Sequence, residues 1–354
     1  MTDRNPIRGR GSSDNPANRF EGRYTDYELD EETGEKPGRH TRFYADDTKE
    51  VLATNDSPDL PFEVSLNPYR GCEHGCIYCY ARPTHEFLGF SAGLDFESRI
   101  LVKYDAAQKL QARLSSDSWS PKTIMMSGVT DPYQPAEREL EITRQCLQVL
   151  ARYRNPVSLI TKNHLVTRDL DILQELAEVG AVHVTLSVTT LDRDLARVME
   201  PRTSQPYRRL EAIEKLASHG ISTGVNVAPV VPGLTDHEIP KILEATADAG
   251  AEHAGYTILR LPYGVKDLFS DWLEQHFPDR RDKVLNRVRE MREGKLNVSE
   301  FGKRFHAEGN FAEQIRSLFY MHVGKMRLNR EKVELNTGAF VRYKGNQGEL
   351  FEGS

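Results

Sequence analysis

The sequence predicts an α/β architecture: a partial (β/α)6 barrel with a largely irregular N-terminal extension and a helical C-terminal extension. Three observations carry this expectation. From Phe62 onward, six short β-like runs alternate with helical patterns, a rhythm that pairs strands in parallel and puts helices outside. Gly180, Gly220 and Gly250 each follow a helical pattern, where a left-handed C-cap is wanted. One run, Val182–Val188, alternates apolar and polar side chains.

Taken in order, residues 1–55 are rich in Gly, Pro, Asn, Asp, Glu and Arg without a sustained apolar period, and form the irregular extension. Two short patches within it, Arg19-Phe20 and Phe43-Tyr44, are suited to drape over a folded body. The core spans 56–265. Its β-like runs are Glu63–Leu66, Thr123–Ser127, Val157–Lys162, Val182–Val188, Ser222–Ala228 and Thr257–Leu261. Helical patterns lie around Ala106–Leu114, Arg138–Arg152, Arg168–Val179, Tyr207–Ser218 and Asp236–Ala249. An open doubly wound sheet is the alternative, which strand count alone does not exclude. Side-chain parity favours the barrel. In Val182–Val188 the valines and Leu186 share one face while His183, Thr185 and Ser187 share the other. A strand buried between two apolar layers does not alternate in this way, so the polar face belongs to a ligand-bearing lumen. The same parity turns Asn226 inward. Residues 266–354 lose the rhythm and make the C-terminal extension. It holds charged helical sequence at Asp282–Glu293, an amphipathic helix at Ala312–Met321 and an aromatic-dotted tail from Phe340 to Phe351.

Composition narrows the function class. A net charge of −6, from 47 Lys and Arg against 53 Asp and Glu, gives no global electrostatic case for a nucleic-acid binder. The start of the sequence has no apolar stretch that reads as a secretory signal. No apolar run approaches membrane-spanning length, and the expected location is the cytoplasm. Interleaved charges from Asp279 to Glu293 read as a solvated helix face.

Three of the four cysteines fall in Asn67-Pro68-Tyr69-Arg70-Gly71-Cys72-Glu73-His74-Gly75-Cys76-Ile77-Tyr78-Cys79-Tyr80. Such clustering is a metal-ligand pattern rather than a disulfide framework. Structural zinc wants a closed shell of four ligands, whereas closely spaced thiolates hold iron–sulfur clusters. Cys146 lies at a helical position among apolar neighbours and reads as a small buried hydrophobe. Cys72, Cys76 and Cys79 are therefore the candidate ligands of a [4Fe–4S] cluster with one iron left open.

The C-x3-C-x2-C spacing, with an aromatic before the third cysteine, resembles the signature of the radical S-adenosylmethionine (SAM) superfamily. The stretch from Asn67 to Lys103, with Glu200-Pro201-Arg202 and Val227–Asp236, resembles its spore photoproduct lyase-like branch, and within that branch an uncharacterised bacterial subfamily. The resemblance implies a barrel of the radical SAM type, and two cofactors, the [4Fe–4S] cluster and S-adenosyl-L-methionine. It places Tyr78 against the adenine, Tyr80 in the cofactor pocket, Thr130 as a contacting hydroxyl, Lys162 at the methionine carboxylate and Ser187 on the ribose side. Each of the last three sits at the C-terminal end of a strand, where barrel enzymes assemble their sites. Glu200, Arg202, Arg208 and Arg209 fit either a bridge to cofactor or substrate, or an ion-pair network at a helix start. Arg260, ending the sixth run, is expected to face the lumen.

The implied activity is reductive cleavage of S-adenosylmethionine to a 5′-deoxyadenosyl radical that abstracts hydrogen from a substrate. A carrier such as flavodoxin or ferredoxin is expected to supply the electron. The leading substrate class, by family analogy, is nucleic acid or nucleotide. Alternatives are a protein or small metabolite, or a non-catalytic iron–sulfur redox sensor. One departure from the branch is Gly128, which stands where the lyase carries its hydrogen-donating cysteine; repair of spore photoproduct is therefore not expected.

Overall fold

The computed structural model describes residues 7–20 and 40–343, and the expectations for 1–6, 21–39 and the end of the aromatic tail fall outside them. The strands are β1 (Arg42–Ala45), β2 (Leu52–Thr54), β3 (Val64–Leu66), β4 (Tyr69–Arg70), β5 (Arg99–Val102), β6 (Ile124–Met126), β7 (Val157–Thr161), β8 (Val182–Ser187), β9 (Thr223–Val230) and β10 (His253–Ile258). The helices are α1 (Leu94–Ser98), α2 (Ala106–Ser115), α3 (Glu137–Leu140), α4 (Ile142–Tyr153), α5 (Leu170–Glu178), α6 (Arg193–Met199), α7 (Pro206–Ser218), α8 (Ile239–Asp248), α9 (Val265–His276), α10 (Pro278–Glu290) and α11 (Asn310–Lys325).

Seven strands form the main sheet in the order β10-β9-β8-β7-β6-β3-β2. The six from β3 to β10 are mutually parallel, and β2 runs antiparallel to β3. Strictly sequential order decides between the two architectures left open by the sequence. A doubly wound sheet reverses its order at a switch point, and this one never does. The arc is a partial barrel: β10 and β2 are its two edges. A second sheet, β1-β5-β4, packs the N-terminal extension onto the chain that follows the cysteines.

Burial follows the parity. Val182, Val184 and Leu186 face the helices in the main core, with Val157, Leu159, Ile213 and Leu216. Ser187 and Asn226 face the lumen, together with Thr257. The helix-ending glycines Gly180, Gly220 and Gly250 all take left-handed φ.

Three differences from the sequence expectation have physical causes. The sixth strand spans His253–Ile258 instead of Thr257–Leu261, because an edge strand is half-buried and its polar and glycine positions hide the pattern. The apolar residues Leu259 and Leu261 belong instead to a second core with Val265, Phe269 and Trp272. The helix expected over Arg138–Arg152 is divided at Glu141, where φ is +50°. There the Glu137 carboxylate accepts the backbone N–H groups of Thr143 and Arg144 at 2.9 and 3.2 Å, starting α4 afresh. Among its described residues the extension before the core is irregular except for β1, whose partner β5 lies far along the chain, and β2, which pairs with nearby β3.

Candidate cofactor cavity

The cysteine loop is built around two fully buried charges. The Arg82 guanidinium donates to the carbonyls of Gly75, Cys76, Ala92 and Gly93 at 3.0–3.1 Å and pairs with Glu97 at 2.5 Å. Every carbonyl it reaches lies in the loop or in the segment behind it, so one side chain sets the loop's path. Glu97 then receives the N-terminal segment: the N–H groups of Gly11 and Ser12 donate to its two oxygens at 3.0 and 2.9 Å. A side chain at Gly11 cannot fit, since a Cβ there would lie 1.7 Å from the Gly75 carbonyl. Downstream, Asn15 exchanges hydrogen bonds with Asp95, and Arg19 pairs with Glu86 at 2.6 Å and covers the Tyr263 ring at 3.7 Å. The Arg19-Phe20 patch does drape over the body, as Phe20 stacks on Phe87.

The inner side of the loop opens into a cavity of about 520 Å³, within the range of small-molecule sites. All eight residues singled out from the sequence line it: Cys72, Cys76, Cys79, Tyr78, Tyr80, Thr130, Lys162 and Ser187. The three thiols are free of disulfides. Burial pushes Cys72 well above the usual thiol range, with Asp131 and the neighbouring cysteines adding to it, and raises Cys76 and Cys79 as well. Thr130 donates to the Tyr69 carbonyl at 2.8 Å, and the Tyr80 hydroxyl donates to the Gly128 carbonyl at 3.0 Å. Cys146 is fully buried in α4, apart from the cavity.

Lys162 is more engaged than a free strand-end amine. Its ammonium lies 3.2 Å from Glu200 and donates to Thr189 Oγ1 and the Ala228 carbonyl at 3.1 and 2.9 Å. Glu200 in turn pairs with fully buried Arg209 at 2.5 Å and accepts from the hydroxyls of Tyr78 and Thr189. Burial opposes ionisation of Glu200, but Arg209, Lys162 and these hydrogen bonds overcome it and hold the carboxyl well below its ordinary range. The cluster forms an ion-pair network that reaches the cavity through Lys162 and Tyr78: Arg209 also donates to the carbonyls of Ser187 and Ser204, and Arg202 pairs with Glu73 at 3.1 Å. Asp131 is likewise consumed. It accepts from Thr161 Oγ1, Tyr133 N and Lys162 N and faces His74 at 3.4 Å. His74 therefore joins the Asp131 network. Among the described residues no three His, Cys, Asp or Glu side chains are placed to share a single ion. A cluster asks for something else, one thiolate for each of three irons.

The radical SAM superfamily model matches residues 66–246, more than half of the chain. The chain belongs to the radical SAM superfamily. An uncharacterised protein of Mycobacterium tuberculosis strain H37Rv is 37% identical over 66% of this chain and 68% of its own length. A radical SAM Nα-GlyT isomerase of Pseudomonas phage M6 is 24% identical over 68% of this chain and 49% of that protein. Among solved structures, spore photoproduct lyase complexed with dinucleoside spore photoproduct superposes with a TM-score of 0.58 at 18% identity, covering 80% of this chain and 78% of that one. The likeness to the lyase is one of fold.

The cofactors of the radical SAM superfamily are the [4Fe–4S] cluster and S-adenosylmethionine, and the cavity fits both. Three unbridged thiols line it together with the polar groups of Lys162, Ser187, Asn226 and Thr257. Sequence reasoning missed the residues that shape this radical SAM site without lining it. Asn67, inside the quoted motif, accepts the N–H groups of Val129 and Thr130 and so ties the loop after β6 to the cysteine loop. Gln134 and Arg82 carried no sequence signal, since one buried glutamine or arginine looks like any surface residue. The mouth was also missed in part. Arg260 does face the lumen, with its guanidinium 4.8 Å from the Tyr80 ring and 4.6 Å from the Phe305 ring. Arg304 and Phe305 come from the C-terminal extension.

Proposed function

We propose that this chain is a radical SAM enzyme acting on a nucleotide or nucleic-acid substrate. The observation that carries the reading is one cavity lined both by the three thiols and by an arginine–aromatic group, Arg260 with Tyr80 and Phe305. When bound, the cluster and S-adenosylmethionine supply one-electron cleavage of the sulfonium and removal of a hydrogen atom from the substrate. The protein's residues bind, orient and exclude water. Cys72, Cys76 and Cys79 would hold the cluster. Tyr78 is fixed by Glu200 so that its ring forms part of the wall, and Ser187 and Thr130 present hydroxyl groups at strand ends. Among the described residues Arg260 has no hydrogen bond or ion pair, and its faces are covered by Tyr80 and Phe305. A guanidinium held this way offers its N–H edge to a phosphate and its flanking rings to a base. The solved lyase of the same fold is complexed with a dinucleoside, which is in keeping with this class.

Photoproduct repair itself is outside the proposal. A Cβ at Gly128 would lie 3.1 and 3.3 Å from the Cβ and Oγ of Ser65, so the position has little room for a thiol, and Cys146 is sealed in the core. Two measurements test the function. Anaerobically reconstituted protein, reduced with dithionite in the presence of S-adenosylmethionine, should form 5′-deoxyadenosine. Changing Cys72, Cys76 or Cys79 to Ala should abolish it along with the bound iron, while Cys146→Ala should not. Zinc in place of iron, or iron retained in Cys76→Ala, refutes the cluster. Absence of binding to nucleotides and to single- and double-stranded DNA and RNA refutes the substrate class and returns it to a protein or small metabolite.

A further inference from the structure

The loop that carries the cysteines has an outer side as well. There lies a groove of about 530 Å³ lined by Arg8, Arg10, His40, Thr41, Phe43, Glu73, Arg138, Glu139 and Arg202, among others. We propose that this groove docks an acidic one-electron carrier protein and is the entry point of the electron; the proposal rests on the function proposed above.

The wall between groove and cavity is thin. Glu73 lines the groove, and its neighbour Cys72 lines the cavity. The groove floor at Pro135 and Ala136 continues into Gln134, which is fully buried. Its side chain accepts the Glu73 N–H at 2.9 Å and donates to the Gly71 carbonyl at 3.2 Å. One glutamine thus clamps both peptide neighbours of Cys72, giving a short bonded route from the outer surface to a candidate ligand. Electron transfer falls steeply with distance, and a carrier seated here is separated from Cys72 by the peptide of Glu73 and the Gln134 side chain.

Charge identifies the carrier's chemistry. Four arginines against two glutamates give the groove a net charge of +2 from these groups, on a chain whose total is −6. Arg10 and Arg202 are drawn inward toward Glu97 and Glu73. Arg8 and Arg138 stay exposed and, among the described residues, their guanidinium groups have no hydrogen bond or ion pair. Beside them Phe43 is 40% exposed. A small polar patch with one aromatic contact suits a transient redox encounter steered by opposite charge. The step balances without any bond change. The reduced carrier loses one electron and the cluster gains it.

The test compares two reductants on the reconstituted holoprotein, a reduced bacterial flavodoxin and dithionite. In the doubly substituted Arg8→Glu, Arg138→Glu protein the flavodoxin-driven rate of 5′-deoxyadenosine formation should fall at least ~10-fold, while the dithionite-driven rate stays within about twofold. Raising NaCl from about 50 to about 300 mM should depress the wild-type flavodoxin rate and leave the dithionite rate unchanged. An unchanged flavodoxin rate in the double variant overturns the docking site. If wild-type protein forms no deoxyadenosine even with dithionite, the enzyme reading fails separately. Calorimetric binding of flavodoxin then decides the groove: affinity lost in the double variant supports it, and equal affinity overturns it.

Discussion

Two buried charges, Arg82 and Glu97, hold together three parts of the chain that are distant in sequence: the cysteine loop, the segment before β5 and the N-terminal strap. Glu97→Gln keeps the shape but leaves Arg82 without its counter-charge in a fully buried setting. Breaking such a pair costs about 3–5 kcal/mol. The expected outcome is a lowered urea midpoint and reduced iron per chain after reconstitution, whereas Glu63→Gln, at an exposed ion pair with Lys122, should change neither. Glu200 gives a pH prediction. Its carboxyl is held below the ordinary range in the folded protein, so its stabilising contribution is complete above the unfolded value of about 4.3. It is lost as pH falls further toward the folded value. The stability gap between wild type and Glu200→Gln, followed by denaturant titration at a series of pH values, should be full above about pH 5 and narrow below that. A gap that widens on acidification would contradict the network described here.

Helices, strands and their caps were the most legible part of the sequence, and the failures have a common cause. Helices α2, α7 and α8 have clean apolar faces closed by glycine or polar residues, and their positions were readable to within a few residues. β10 was misplaced because an edge strand carries little alternation, and β1 and β2 were missed because each is short, with β1 justified only by a distant partner. Among the glycine caps, Gly250 has φ +96° and would place a Cβ 2.7 Å from the Ala217 Cβ, whereas Gly220 has φ +70° and nothing within 4 Å. Gly220→Ala should therefore cost about 1–2 kcal/mol, the conformational penalty alone. Gly250→Ala should cost more, because α7 and α8 must also separate. Equal thermal shifts for the two would remove the contact argument.

At the scale of the whole molecule, the cavity is a product of topology. Its thiols come from the loop after β4, its walls from the C-terminal ends of successive parallel strands, and its lip from Leu60 and Phe62 and from Arg304 and Phe305, far apart in the sequence. The cysteine motif and the strand-end positions could be found in the sequence because chemistry restricts them to few residue types at fixed spacing. The lip could not, because its residues are ordinary in type and meet only through the fold. Asp59 pairs with Arg304 at 2.8 Å and accepts the Gly302 N–H at 2.7 Å, while Arg304 also donates to Ser57. These contacts join the two segments beside Arg260, Phe62 and Phe305 at the mouth. Neither segment belongs to the strand ladder, so releasing them should leave the core intact. In Asp59→Ala, hydrogen exchange measured by mass spectrometry should accelerate in peptides covering 57–62 and 300–306, with β7, β8 and β9 unchanged. The variant should also lose discrimination at the mouth, seen as more 5′-deoxyadenosine formed without added substrate under dithionite. Exchange that accelerates throughout the sheet would instead make the Asp59–Arg304 pair a support of the fold rather than of its opening.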